Sequence, residues 1–338
     1  MDVKETTVQY IKQEPGISGM KRAIERAARI CMHSQDKMTD DSYKEFIQRQ
    51  ILTPGHGRAL EFGTCFLKVP DMEHETSPVK AKYKSALQLL LNNEYTKSDW
   101  SLVDNSWYIT TNYRVIMQGF DTKWGDAISS HYAHNIEYML NKYWCEPTER
   151  HFHRYLVEYH NVGRGVADEL RTHTHVSTLM QSTRYCKYSS PKFGQQLDYA
   201  CTEWTKKRDV DAKGMVKYFN ENNFNGIHDT VTREQVYYLT LRFIEEAYMA
   251  LTAKDDAKFF GANVEGKPLK AEEARGVLCL DKSTDMVQCG FVDDWDDLFR
   301  QRLANDAHPD AQHVAKLAYD EISKYLKVEK LHHGSNNA

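Results

Sequence analysis

No stretch of this chain approaches the roughly 20 consecutive apolar residues that a bilayer-spanning helix needs. The opening segment, residues 1–16, lacks the basic start and apolar core of a secretory leader. Cysteine is sparse and scattered. There are seven (Cys31, Cys65, Cys145, Cys186, Cys201, Cys279 and Cys289), an odd number with no Cys-x-x-Cys pair. That usage argues against a disulfide framework or a cysteine zinc site, and it fits reduced thiols, mostly packed in cores, in a cytoplasmic protein. A surplus of one charge is also missing: 44 Lys and Arg stand against 48 Asp and Glu, a net charge of −4. The basic residues are dispersed, so neither a nucleic-acid groove nor binding to an anionic membrane is expected. Any bound phosphate must be held by a few placed arginines. The patterns G-x-G-x-x-G, G-x-x-x-x-G-K-[ST] and G-x-S-x-G are absent, which disfavours a Rossmann hydride transferase, a P-loop enzyme and an α/β-hydrolase. There is no internal repeat and no low-complexity tract.

What remains is an ordinary globular composition, 41% hydrophobic and 27% charged over 338 residues, able to bury a sizeable core. Residues 20–33 read as a helix with Ile24, Ala27, Ala28 and Cys31 on one apolar face. A second helix over 42–52 has Asp41 or Ser42 as its cap. After the break at 53–57, alternation of Phe62, Thr64 and Phe66 predicts a strand over 59–69. Residues 70–80 read as a polar loop and 81–150 as mostly helical. A strand is expected near 153–160, a helix from Gly163 to Leu170, a partly helical insertion over 187–230, and a helix over 234–253. A short helix near 271–274 and closing helices at 294–304 and 311–325 complete the reading. The tail 331–338 is expected to be disordered.

Chemistry-bearing residues come in small groups. Ser182-Thr183-Arg184-Tyr185 sets a hydroxyl and a guanidinium two residues apart, and a guanidinium fork suits phosphate oxygens. Arg275 precedes a short apolar run. Trp295, Phe299 and Arg302 fall on one helix face, a cation beyond two aromatics. Two His-x-His pairs, His151/His153 and His173/His175, have a spacing that metal sites use, with Glu158, Asp168 and Glu169 nearby. No third ligand is placed by spacing, and no metal is expected.

These pieces occur in a familiar order. Residues 24–31 followed by Ser34, then Gly55-His56 and residues 60–64, then Arg164-Gly165-Val166 with Glu169-Leu170, resemble the successive segments of flavin-dependent thymidylate synthases. Ser182-Thr183-Arg184-Tyr185, with Ser177 in register, resembles the second half of that family's signature. Residues 274–278 and the closing Trp295, Phe299, Arg302 with Ala307-His308-Pro309 are similar to its later segments. The first half of the signature departs: Thr172-His173-Thr174 stands where the family carries Arg-His-Arg, with Arg171 one residue earlier. Phe62 replaces a strand histidine.

The resemblance implies an α+β fold, a mixed sheet packed with helices, in a single domain over residues 1–330 with insertions near 80–150 and 190–230. It implies FAD-dependent reductive methylation of dUMP to dTMP, with methylenetetrahydrofolate as carbon donor and NADPH as reductant, in a homotetramer whose sites lie between subunits. By the same token dUMP would meet Glu169, Gln181, Ser182, Thr183, Arg184, Tyr185, Arg275 and Arg302, the last two also polarising the ring. FAD would meet Ser34, Phe62, Thr64, Arg171, Thr172, His173, Thr174, His175 and Ser177, with Phe62 available to stack on a ring. The altered signature leaves two other readings: a related pyrimidine-modifying flavoenzyme, or a nucleotide-binding homologue without flavin chemistry.

Overall fold

The computed structural model describes residues 1–71, 78–119, 130–222 and 230–326. Two short strands, β1 (Asp2–Lys4) and β2 (Thr7–Tyr10), precede helix α1 (Gly16–Met32). Helix α2 (Ser42–Phe46) runs into a π-helical turn, Ile47–Leu52, and a 3-10 turn, Gly57–Phe62, leads to β3 (Thr64–Pro70). Next come α3 (Pro78–Leu91), the hairpin β4 (Lys97–Ser101) and β5 (Ser106–Asn112), α4 (Tyr113–Gly119) and α5 (Ser130–Tyr143). The central segment carries β6 (Arg154–Gly163), α6 (Arg164–Leu170), β7 (Ser177–Met180), β8 (Asp198–Ala200), α7 (Glu203–Lys207) and α8 (Ala212–Asn222). After it lie α9 (Arg233–Thr252), β9 (Lys258–Phe259), β10 (Ala262–Asn263), α10 (Ala271–Ala274), β11 (Ser283–Phe291), α11 (Val292–Arg302) and α12 (Pro309–Ser323).

The strands form a four-stranded antiparallel sheet, β2-β6-β11-β7, a three-stranded antiparallel sheet, β3-β5-β4, and two-stranded ribbons. β1 and β8 pair in parallel, and a bridge from Tyr199 to Lys282 joins that ribbon to the start of β11. The α+β class with mixed pairing is therefore borne out.

β11 is central because both its faces are covered. Its side chains alternate, as strand geometry requires. Met286 packs with Tyr155, Val157 and Tyr159 of β6 against Trp295, Phe299 and the buried stripe of α12. Val287 and Cys289 pack on the opposite face with Leu156, Phe62 and Ala23, Ala27 and Ile30 of α1. A fork from Arg26 to Glu158, 2.5 and 2.9 Å, fixes α1 on β6. Gly63 lets the chain pass close to α1, since a Cβ there would lie 2.6 Å from the Ile24 Cδ1. Helix α1 ends on His33, left-handed at φ 46°, whose N–H donates to the Ile30 carbonyl at 3.1 Å.

Several expectations need correction. Strand character begins at Thr64, and residues 57–62 form a 3-10 turn, because Phe62 packs into the core rather than pairing. Residues 81–150 contain the β4–β5 hairpin, where Trp100 faces Trp107 and Asn105 takes φ 50° at the turn. The side chain of Asp41 makes no capping bond; Ser42 Oγ instead accepts the Thr39 N–H at 3.0 Å. The middle of the loop expected over 70–80 and the expected disordered tail 331–338 lie outside the described residues.

Candidate functional site

The expected site residues separate into three groups. The first is organised by Arg302, the last residue of α11. That helix starts where Asp294 accepts the Phe291 N–H at 2.8 Å, and it is anchored by Trp295 and Phe299, both fully buried with rings 5.7 Å apart. The anchored face delivers the guanidinium to the loop after α6. Arg302 Nε donates to His173 Nε2 at 3.0 Å, and Nη1 donates to the Glu169 carboxylate at 3.1 Å. Nη2 donates to the Glu169 carbonyl at 3.1 Å and to Thr172 Oγ1 at 3.2 Å. Because His173 Nε2 accepts, its proton sits on Nδ1. Burial and then the adjacent Arg302 cation push the His173 pKa down to about 4, so the ring is neutral near pH 7. A cleft of about 150 Å3 opens beside it, lined by residues 172–176 and by Asp294, Asp297 and Gln301. Thr174, His175 and Arg171 are exposed, and Arg171 reaches Asp168 at 3.2 Å.

The second group lies around the Ser182–Tyr185 turn. The turn is fixed from behind: Gln181 N–H donates to the Asp285 carbonyl at 2.8 Å and Ser182 N–H to the Cys31 carbonyl at 2.9 Å. Ser182 Oγ accepts the Arg184 N–H at 3.3 Å. The Arg184 side chain, 56% exposed, places Nε and Nη2 on the Glu272 carboxylate at 3.3 and 3.2 Å. Arg275 is exposed three residues beyond Glu272, so the two arginines meet the same short helical segment. Tyr185 is 60% exposed beneath the Arg184 guanidinium, and Thr183 is half-buried.

The third group is closed off. Phe62 is fully buried among Ala23, Ala27, Leu156 and Cys289, so it offers no ring face for stacking. Thr64 is 5% exposed, with both backbone groups bonded to the Gln13 amide at 2.8 Å. Ser34 is buried and its carbonyl accepts from Arg29 at 3.2 Å. Ser177 is buried on β7, and its Oγ has no hydrogen-bond partner among the described residues. Within this single chain all four are buried among protein groups.

The first and second groups are not adjacent. They lie beyond opposite ends of β7, whose four residues alone span roughly 10–13 Å. Of the His-x-His pairs, His151 is engaged internally, accepting the Thr148 N–H at 3.1 Å and lying 3.2 Å from the Leu67 carbonyl.

One constellation gives no sequence signal. Asp285 on β11 faces His33 Nδ1 at 3.6 Å and His160 Nδ1 at 3.5 Å, and His160 Nε2 lies 3.8 Å from Glu158. Asp285 hydrogen bonding and charge raise the His160 pKa against its burial. These groups come from three separate stretches, so only the antiparallel pairing of β6 with β11 and the left-handed end of α1 bring them together.

The family described as thymidylate synthase complementing protein matches residues 136–326, more than half of the chain. Residues 1–135 lie outside that match. No curated protein sequence matches the chain. Two solved structures of ThyX from Helicobacter pylori, both with FAD and dUMP, are similar at 17% and 13% identity. The first alignment covers 50% of this chain and 66% of that chain, just under two thirds, with a TM-score of 0.32. The second covers 93% of each, with a TM-score of 0.34. TM-scores of this size do not by themselves establish a shared fold. The extent of the family match does establish kinship, and the chain belongs to the thymidylate synthase complementing protein family.

Proposed function

We propose that this protein is a flavin-dependent thymidylate synthase that methylates dUMP reductively to dTMP, with methylenetetrahydrofolate as carbon donor and NADPH as reductant. The observation that carries the reading, beside family membership, is the state of the cysteines. Burial pushes all seven thiols above their ordinary pKa, Cys31 to about 12 and Cys145 and Cys186 to about 11. Near neutral pH none is a thiolate, so none is poised for covalent attack on a pyrimidine ring. This suits a thymidylate synthase that activates the ring by position and charge.

Two half-sites suit that task. At one end of β7, Ser182, Arg184 and Arg275 offer a hydroxyl and two exposed cations to the phosphate and sugar of dUMP. At the other end, Arg302, clasped to His173, Glu169 and Thr172, sets a fixed cation beside the part-exposed Glu169 carboxylate where the uracil edge would lie. C5 of uracil is a weak nucleophile, and an Arg302 cation near the ring carbonyls stabilises the charge that develops there. Neutral His173, with its proton on Nδ1, donates without adding a second positive charge. Each half-site is open, which supports a composite site in which a second copy supplies the facing half, as expected of a homotetramer.

FAD supplies the hydride when bound. The residues beside the 150 Å3 cleft fit one wall for it: Thr172, Thr174 and His175 present hydrogen-bonding groups, and Arg171 an exposed cation. Asp294 and Asp297 on the opposite wall suit hydroxyl and amine groups of the cofactor rather than its pyrophosphate. The cleft holds only part of a dinucleotide, in keeping with a second chain completing it.

The same two carboxylates, facing a signature without its arginines, favour a second reading: a nucleotide-binding homologue without flavin. Purified protein incubated with FAD and passed through gel filtration separates the two. Retained flavin absorbance that changes on adding dUMP supports the enzyme; colourless protein that still binds dUMP supports the homologue.

A further inference from the structure

One further cleft has no arginine among its described lining residues. It measures about 300 Å3, at the lower end of small-molecule sites. Its lining joins residues of the 188–198 stretch to Lys4, His33, Gln181, Lys282 and Asp285.

Its charges do not balance. Asp198 is neutralised by Lys4 at 2.8 Å and also accepts from the Gln196 amide at 2.9 Å. Asp285 accepts the Asn161 N–H at 3.2 Å and faces the His160 and His33 rings at 3.5 and 3.6 Å. Two cations remain. Lys192 Nζ donates to the Met32 carbonyl at 3.1 Å, and Lys282 Nζ donates to the Ser283 carbonyl and sits 3.9 Å from the centre of the Tyr188 ring. Neither has a carboxylate within ion-pair distance among the described residues. Lys282 is only 6% exposed, and burying an ammonium without a counter-ion is costly. The cost shows in a Lys282 pKa lowered to about 8 by burial. His33 also borders the cleft, its Nδ1 3.6 Å from the Asp285 carboxylate.

We propose that this cleft is a separate anion site that takes a phosphomonoester dianion, its two charges matched to Lys192 and Lys282, with His33 as an additional donor. A free phosphate and the phosphate of a nucleoside monophosphate share this chemistry. The cleft volume and the Phe193 ring beside His33, 5.1 Å between centroids, accommodate either. The site owes nothing to the flavin reading and stands or falls without it.

Calorimetry with inorganic phosphate tests it on the full-length protein. Arg184→Ala, which weakens the half-site for the dUMP phosphate, should still bind inorganic phosphate, and the lysine variants are compared in that background. Lys192→Ala and Lys282→Met should each weaken binding by about 10-fold or more, the usual effect of losing a charge-assisted bond. Lys192 is exposed, so its variant folds even if Lys282→Met does not. Absence of binding up to about 10 mM phosphate, far weaker than ordinary specific sites, would overturn the proposal. So would binding lost in Arg184→Ala, or binding kept in that background by both lysine variants. Titrating dTMP into Arg184→Ala assigns the occupant: affinity above that of phosphate identifies a nucleotide, and equal affinity identifies the phosphate alone.

Discussion

Arg302→Ala removes the group that ties α11 to the loop after α6. Its side chain is 20% exposed and makes four bonds, one of them to the Glu169 carboxylate. A bond to a charged group contributes about 1.5–3 kcal/mol and a neutral one about 0.5–1.5, but four bonds on one group are not additive. A loss of about 3 kcal/mol is the reasonable total, and at roughly 2–3 °C per kcal/mol for a chain of this size the melting temperature falls by about 6–9 °C. The change also removes a cation and a donor from His173. The His173 pKa should rise from about 4 but remain below 6.5, because burial is the larger cause of the shift. NMR titration of the imidazole reads this directly. The sign for stability follows. A folded-state pKa below the unfolded one gives a contribution that is complete above pH 6.5 and lost as the pH falls toward 4, and this acid sensitivity should shrink in the variant. An unchanged His173 titration with an unchanged melting temperature would refute the Arg302 clasp.

Other consequences are equally direct. Arg184→Ala should weaken dUMP binding by about 1.5–3 kcal/mol in calorimetry, and unchanged affinity would remove Arg184 from the substrate site. Gly63→Ala should cost about 1–3 kcal/mol in urea unfolding, since its methyl group would overlap the buried Ile24 side chain. His160→Gln should destabilise more at about pH 5.5 than at about pH 8.5. The raised His160 pKa contributes stability below 6.5 that is lost at higher pH, while the lowered Asp285 pKa contributes above the ordinary carboxylate range. An equal cost at both pH values would show that the pair is not charged in the folded protein.

Helices with strong three- and four-residue periodicity were legible in the sequence, α1, α9, α11 and α12 among them, because a single buried stripe fixes both element and face. The hairpin of β4 and β5 was not read, although Trp100, Trp107, Tyr108 and Ile109 around the Asp104-Asn105 turn carry strand chemistry. β11 was also missed: buried on both faces, it lacks the alternation that marks a half-exposed strand. Among site residues, Arg302 and Glu169 stand out in the sequence as candidate substrate contacts, and the fold bonds them to each other at 3.1 Å. Phe62, Thr64, Ser34 and Ser177 were placed by order along the chain, which does not tell a ligand wall from a core wall. Lys282, His33 and Asp285 were invisible, since their meaning depends on which strands pair.

The central claim is tested most directly by tritium release from dUMP labelled at C5, in the presence of FAD, NADPH and methylenetetrahydrofolate. Label should be released and dTMP formed only with all three present, and both should persist when each cysteine in turn is replaced by alanine or serine in a folded variant. No release from protein that binds dUMP, or activity abolished by loss of one thiol, would contradict it.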